Sequence, residues 1–355
     1  MASPSICVII AAANAEGTIA RAVRTALQQE FVSEVIVVDD ASRDNTAGMA
    51  AKMDDGSGRL SVITVPVNAG PAAARNAAIK RSTAEFFSIL DADDYLLPER
   101  MAHLMRSGDL NWDFLADDII IVPELLDGDT FSLTRHDKPQ QAPIEIDLET
   151  FVRGNITLPG RHRQELGFLK PIIRRSFLTR NGLQYDDRLR LGEDYALYVT
   201  ALMAGARFRI VSACGYIAVE RGNSISSRHS TRDLRNIVEF DKEVLKSQAK
   251  LSPSERAAVR AHLRAVTRNS DHRYILDRKR EAGSLNAIAS LLHVPSSVPH
   301  IAIETVRIRL RRLRPSTWLG GKLDAQPRMR FLIGTPGAEI SRPATAKSQH
   351  EHMKQ

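Results

Sequence analysis

The chain has 355 residues, with 49 Lys and Arg against 42 Asp and Glu, 43% hydrophobic and 26% charged residues. A chain this long can bury a large core, and it reads as one big α/β domain with an appendage rather than a small module. Residues 301–355 hold eleven Lys or Arg and four Asp or Glu, so residues 1–300 balance to zero. That localisation disfavours a domain-wide electrostatic footprint for nucleic acid, which is left out of the expected partners.

In chain order, the start is apolar but lacks a basic n-region and soon meets Glu16, so it reads as a strand rather than a signal peptide. Short uncharged runs follow at Ile6–Ala11, Val35–Val38, Leu60–Val65 and Phe86–Leu90. Such runs suit strands buried on both faces. Ala-rich, helix-prone segments separate them at Thr18–Gln29, Asn45–Met53 and Pro71–Lys80, the last with Pro at its first turn after Gly70. The alternation predicts a parallel sheet covered by helices, with ligands outside the carboxyl ends of its strands. Beyond residue 110 we expect a strand over Trp112–Val122, a loop or hairpin over Asp127–Pro143, a helix over Glu193–Ala204, and apolar segments at Arg207–Val211 and Tyr216–Val219. Two to four helices should fill 231–292, and the Ser-, Thr-, Pro- and Gly-rich tail from Thr335 should be disordered. The longest apolar stretch, Ser284–Ile303, is broken by Pro295 and Pro299 and is too polar to span a membrane. Cys7 and Cys214 form neither a disulfide framework nor a zinc spacing, which fits a reducing compartment.

Three acidic sites carry the chemistry. Asp39 and Asp40 end an apolar strand, and adjacent carboxylates there need a partner such as a ribose hydroxyl or a nucleobase N–H. Asp91, Asp93 and Asp94 crowd within four residues after a second such strand, an arrangement that a hard divalent ion, Mg²⁺ or Mn²⁺, would relieve. An exposed acidic turn is the simpler alternative. Glu193 and Asp194 open a helix, where acids also serve the macrodipole without any function.

Taken together, the first apolar strand, Val37-Val38-Asp39-Asp40, Asn68-Ala-Gly-Pro-Ala-Ala-Ala-Arg75-Asn76, Leu90-Asp91-Ala-Asp93-Asp94 and Gly192-Glu193-Asp194 resemble the family 2 glycosyltransferases of the GT-A fold. The likeness covers about residues 5–230, and it is closest to bacterial enzymes that extend exopolysaccharides or other surface glycans. The resemblance implies a catalytic domain over 1–230, its donor half about 1–110 and its acceptor half about 111–230, and the helical spacing beyond it is read as a C-terminal helical region over 231–334. It implies that Asp40 contacts the nucleobase with Asp39 beside it, and that Asn68, Arg75 and Asn76 lie near the donor. Asp91 and Asp93 would form the donor and metal motif, with Asp94 as a substitute ligand, Asp194 as general base and Glu193 as its neighbour. Arg221-Gly-Asn-Ser-Ile-Ser226 resembles the later donor-side loop. Acceptor specificity would reside in Gly154–Tyr185. One departure stands out, since Ala13 rather than an aromatic precedes Asn14 in the first loop and the base loses that stacking partner.

The implied activity is inverting, metal-dependent transfer from a nucleotide-diphosphate sugar, a UDP-hexose first, to a hydroxyl of a growing or lipid-linked glycan. A sugar nucleotidyltransferase would show a Gly-rich basic loop after the first strand, and Ala11–Gly17 has one Gly and no Lys or Arg. Neither G-x-G-x-x-G nor a P-loop occurs. A non-catalytic binder on the same fold is the remaining alternative. Finally, Ile301–Arg314 wound as a helix places Ile303, Val306, Leu310 and Leu313 on one face with Arg307, Arg311 and Arg314 flanking it. That pattern suits an anionic membrane surface, and the expected location is cytoplasmic, peripheral on the inner face of the plasma membrane. An ordinary packed helix or an edge strand is the alternative.

Overall fold

A computed structural model describes residues 3–107, 111–127, 132–135, 143–156, 164–221, 230–247, 250–313, 328–334 and 338–341. Strands β1 (Ile6–Ala12), β2 (Val32–Asp40), β3 (Leu60–Val65) and β4 (Phe86–Ile89) form the N-terminal half of the sheet in the order β3-β2-β1-β4, all parallel. Helices α1 (Ile19–Leu27), α2 (Thr46–Ala51) and α3 (Pro71–Arg81) make the connections. Ile6 to Ile10 are wholly buried, as befits a central strand covered on both faces. The chain leaves β1 toward β2 and β3, then crosses back to β4. The carboxyl ends of β1 and β4 therefore flank a switch point, the place where open sheets of this kind take ligands.

Beyond β4 the sheet becomes mixed. Helix α4 (Arg100–Arg106) follows a short strand β5 (Tyr95–Leu96), and β6 (Phe114–Pro123) returns to the core. The order continues from β4 through β9 (Ile172–Arg174), β6 and β10 (Phe208–Glu220) to β5; β9 is antiparallel to both neighbours, β10 parallel to β6 and antiparallel to β5. The two apolar segments expected at 207–211 and 216–219 are one strand, β10, with its register shifted between Val211 and Tyr216. Asp117 of β6 explains the shift. Its carboxylate accepts from the N–H groups of Cys214 and Gly215 at 2.9 and 3.2 Å and is itself ion-paired to the fully buried Arg100 at 2.6 Å. Gly215 has φ +124, and a Cβ there would come within 2.7 Å of Leu97, so the bulge requires glycine.

The region expected to be a loop or hairpin contains β7 (Ser132–Arg135) and β8 (Ile144–Ile146), which do not pair with each other; β8 joins β10 and β7 joins β12 (Ala338–Ser341). The tail expected to be disordered thus supplies a strand over 338–341, and its other residues lie outside those described. The expected helical region also differs at its end. Helices α8 (Thr231–Lys246), α9 (Pro253–Ser290, broken at Gly283) and α10 (Val298–Leu313) are present, but β11 (Arg330–Phe331) returns to pair with β6. Asp118 holds that return, its two oxygens accepting from the N–H groups of Ile333 and Gly334 at 2.9 and 2.7 Å. A carboxylate wholly buried in a strand needs such donors, and no hydropathy pattern announces them.

Helices α5 (Leu148–Gly154), α6 (Arg175–Asn181) and α7 (Glu193–Met203) accompany this mixed part of the sheet. Behind α7, Tyr195 stacks on His262 with ring centroids 4.4 Å apart. Asp241 meets the hydroxyl of Tyr195 at 3.2 Å and Nδ1 of His262 at 2.7 Å. This buried cluster ties α7 to α8 and α9. Among the described residues no helix is long and apolar enough to cross a membrane.

Candidate functional site

The carboxyl end of β2 presents Asp39 and Asp40, both buried. Asp40 accepts from the N–H groups of Ala69 and Gly70 at 2.8 and 2.7 Å, and Asn68 Nδ2 donates to its carbonyl at 2.8 Å. Both oxygens assigned to the nucleobase by resemblance therefore already hold the loop that leads into α3. Asp39 accepts from the hydroxyl and N–H of Ser42. Asn14, at φ +53, receives the N–H of Arg43 on its Oδ1 at 2.8 Å, and its own N–H reaches Ser42 Oγ at 2.9 Å. The two loops after β1 and β2 are thus stitched together. Arg190 closes this corner by donating to the side chain and carbonyl of Asn68, each at 2.7 Å.

The second cluster lies where β4 ends. Arg75 of α3, itself buried, donates from NH1 to Glu193 at 2.6 Å and to Asp194 at 2.8 Å, and from NH2 to Asp91 at 3.1 Å. Lys170 Nζ lies 2.8 Å from the other oxygen of Asp194 and 3.0 Å from the other oxygen of Asp91. The structure therefore brings Asp91, Glu193 and Asp194 together around two cations. Burial alone would raise the Asp91 carboxyl, but Lys170 and Arg75 outweigh it and hold it below its ordinary value. Burial pushes Glu193 up despite Arg75. Among the described residues Nε of Arg75 is buried in the same cluster without a hydrogen-bond partner, and the hydroxyl of Tyr185 is buried beside Asp194, with burial and then the Asp194 carboxylate holding its proton on well above the ordinary range. Asn76 does not join them; it bonds the backbone of Tyr185 in both directions and Asp187 at 2.7 Å, fixing the approach to α7.

The three carboxylates after β4 separate. Asp94 turns inward, accepting from Tyr216 Oη at 2.9 Å and the N–H of Val219 at 3.0 Å, and burial with Asp91 and Asp93 nearby drives it well above its ordinary range. Asp93 stays half-exposed, 3.3 Å from Arg221. Burial and then Asp91 raise its carboxyl, with Arg221 opposing. A divalent cation would relieve that cost, and a carboxylate oxygen is the hard donor that Mg²⁺ or Mn²⁺ takes, so Asp93 fits such an ion. Among the described residues no three His, Cys, Asp or Glu side chains stand close enough to hold an ion by themselves. Arg221 also donates to the carbonyl of Asp93 at 2.7 Å and lies 3.5 Å from Asp127, while residues 222–229 of its motif lie outside those described.

The sequence profile of glycosyl transferase family 2 matches residues 7–158. The chain is 42% identical over 339 residues to succinoglycan biosynthesis protein ExoU of Rhizobium meliloti (strain 1021), covering 94% of this chain and 96% of that protein. The chain belongs to glycosyltransferase family 2. Its fold is the GT-A fold: S. aureus TarS 1-349 in complex with UDP-GlcNAc superposes with a TM-score of 0.52 at 21% identity, over 81% of this chain and 92% of that one. Mannosyltransferase PcManGT from Pyrobaculum calidifontis, in complex with GDP-Man and Mn2+, does so at 0.51 and 17% identity, over 89% and 82%.

For this glycosyltransferase, sequence reasoning did not single out Lys170, Arg190, Tyr185 or Tyr216. Lys170 had a visible signal, a lone cation in the apolar run Phe168-Leu169-Lys170-Pro171-Ile172-Ile173. Buried Lys is rare unless paired. Tyr216, whose hydroxyl receives the N–H of Asp91 at 3.1 Å and donates to Asp94, had none, because an aromatic in a strand reads as core.

Proposed function

We propose that this glycosyltransferase carries out an inverting, metal-dependent transfer of a sugar, a hexose from its UDP donor, to a hydroxyl of a growing, lipid-linked surface glycan. The observation that carries this reading is that Asp194 is held beside Asp91, the first carboxylate of the donor motif, through Arg75 and Lys170. A base must stand within hydrogen-bond reach of the hydroxyl it deprotonates while the donor's anomeric carbon faces that same hydroxyl. Asp194 would accept the acceptor proton as the new bond forms on the face opposite the departing diphosphate, and one such displacement inverts the anomeric centre. Asp93 and the donor's own phosphate oxygens would hold Mn²⁺ or Mg²⁺, which supplies neutralisation of charge growing on the leaving group. Asp91 and Arg221 would orient the donor around it, and Asp39 would face the base. The exopolysaccharide setting is supported by the likeness to ExoU.

The test is a thermal-shift screen of UDP-, GDP- and dTDP-sugars with and without Mn²⁺, followed by nucleotide release and NMR of the product anomer. A retained configuration would overturn the single displacement, and no sugar release from any donor would overturn transfer itself.

A lipid-linked acceptor places the enzyme on the cytoplasmic face of an anionic membrane, with α10 as the contact. Supporting this, Ile303 and Val306 are 59% and 55% exposed, and the sequence beyond them carries Arg307, Arg309, Arg311, Arg312 and Arg314. Each basic residue near such a surface contributes about 1 kcal/mol. Deleting 301–355 is a poor test, because 328–334 belong to the catalytic sheet. Arg307→Glu with Arg311→Glu and Arg314→Glu should instead abolish salt-sensitive sedimentation with anionic liposomes; equal sedimentation of parent and variant would remove the membrane contact.

A further inference from the structure

We propose that Lys170 is a positioning residue for the transfer reaction, holding the base Asp194 at a set distance and direction from the donor motif. The inference rests on the reading of Asp194 as the general base. Arg75 and Lys170 together close a ring: Arg75 takes one oxygen from each of Asp194 and Asp91, and Lys170 takes the other oxygen from each. A carboxylate held at one oxygen can still swing about its Cβ–Cγ bond. Held at both, it keeps one orientation, and catalytic geometry is sensitive at the scale of about 1 Å.

The two cations are not equivalent. Arg75 approaches from α3, beside the N-terminal half of the sheet, and is shared with Glu193. Lys170 comes from the mixed part of the sheet, in the segment leading to β9, and its two carboxylate contacts are to Asp194 and Asp91. Its main chain is pinned on both sides. Tyr198 Oη donates to the carbonyl of Leu169 at 2.9 Å, and Arg100 NH2 donates to the carbonyl of Lys170 at 2.7 Å. Arg100 is in turn fixed by Asp117, with both side chains fully buried. The buried pair inside the sheet thus anchors the backbone that aims Lys170, which aims Asp194. Support of this kind is what a site needs to hold its productive geometry.

A simple counterion would need none of this, since a replaced buried ion pair is often neutral for stability. In the reaction the acceptor O–H bond breaks and its proton passes to Asp194, the acceptor oxygen bonds to the anomeric carbon, and the carbon–phosphate oxygen bond breaks with its electron pair leaving on the diphosphate. Lys170 stays an ammonium throughout; it neither gives nor takes a proton.

The experiment uses the full chain and the nucleotide sugar that the parent turns over best in the donor screen. Lys170→Met should lower kcat by about 10²-fold while donor KM and UDP affinity in Mn²⁺ change by less than about threefold, the pattern of a lost transition-state alignment. Lys170→Ala should fall equally and recover about tenfold in added ethylammonium, which can occupy the space of the missing side-chain end. An unchanged kcat in Lys170→Met, parallel losses in kcat and UDP affinity, or failure of both variants to fold would each overturn the proposal. Asp194→Asn is the control. If it remains fully active, the reading of Asp194 is at fault; if it is inactive while Lys170→Met is not, only the role of Lys170 fails.

Discussion

Replacing Asp194 by Asn tests the base directly, because Asn preserves shape and one acceptor oxygen while removing basicity. In the parent, Oδ1 of Asp194 receives Arg75 and Oδ2 receives Lys170, each at 2.8 Å. Asn can serve one of these cations, and its amide N–H₂ must face the other. The stability cost is therefore about one charge-assisted hydrogen bond, roughly 1.5–3 kcal/mol. It stays limited, since Arg75 keeps Glu193 and Asp91 and Lys170 keeps Asp91. Turnover should suffer far more. A positioned base is worth about 10²- to 10⁴-fold, which at about 1.4 kcal/mol per decade is roughly 3–5 kcal/mol of barrier. The assay pairs nucleotide release at saturating donor with calorimetric titration of UDP in Mn²⁺ and a thermal melt. We expect kcat to collapse with UDP affinity nearly unchanged. Glu193→Gln, which loses a single contact to Arg75, should reduce kcat by less than about tenfold. The reasoning is refuted if Asp194→Asn keeps kcat within about threefold of the parent, or if Glu193→Gln is the more damaging change.

Asp93→Ala should abolish the Mn²⁺-dependent part of UDP binding by calorimetry; unchanged affinity would mean that another group holds the ion. Tyr185→Phe removes a buried hydroxyl that stands beside Asp194 without a well-formed hydrogen bond among the described residues, so the melting temperature should hold or rise, and a loss above about 1 kcal/mol would show that it donates to Asp194. Asp118→Ala should cost about 2–3 kcal/mol and open the segment around 333–334 to protease, because two main-chain donors lose their carboxylate. Cys7 is pushed up from 9.0 to about 12, mainly by burial. Above pH 9 the unfolded chain therefore binds fewer protons at this site than the folded one, and stability falls as pH rises through that window. Cys7→Ala should flatten the decline by up to about 1.4 kcal/mol per pH unit in chemical denaturation, and identical slopes would contradict the burial of the thiol.

The N-terminal half of the sheet was legible in the residues themselves. Uncharged runs at 6–11, 35–38 and 86–90 are buried strands as expected, whereas 60–65 is the edge strand β3 and only half-buried, and the Ala-rich segments between them match α1 to α3 within a few residues. Local chemistry also marked the carboxylates at the ends of those strands as candidates, because clustered acids after apolar runs repel one another unless a partner or water relieves them. The tertiary structure decided what those carboxylates touch. Asp91, Asp93 and Asp94 are neighbours in sequence, yet the turn after β4 sends them to Lys170 and Arg75, to Arg221, and to Tyr216 with Val219. Their partners come from 16 to 128 residues away, where spacing along the chain carries no signal. Single strand residues such as Asp117 and Asp118 gave no warning of their roles either. A buried carboxylate is defined by the backbone donors that fold against it, and the N–H groups of Cys214, Gly215, Ile333 and Gly334 reach them only when β10 bulges and β11 pairs back onto β6.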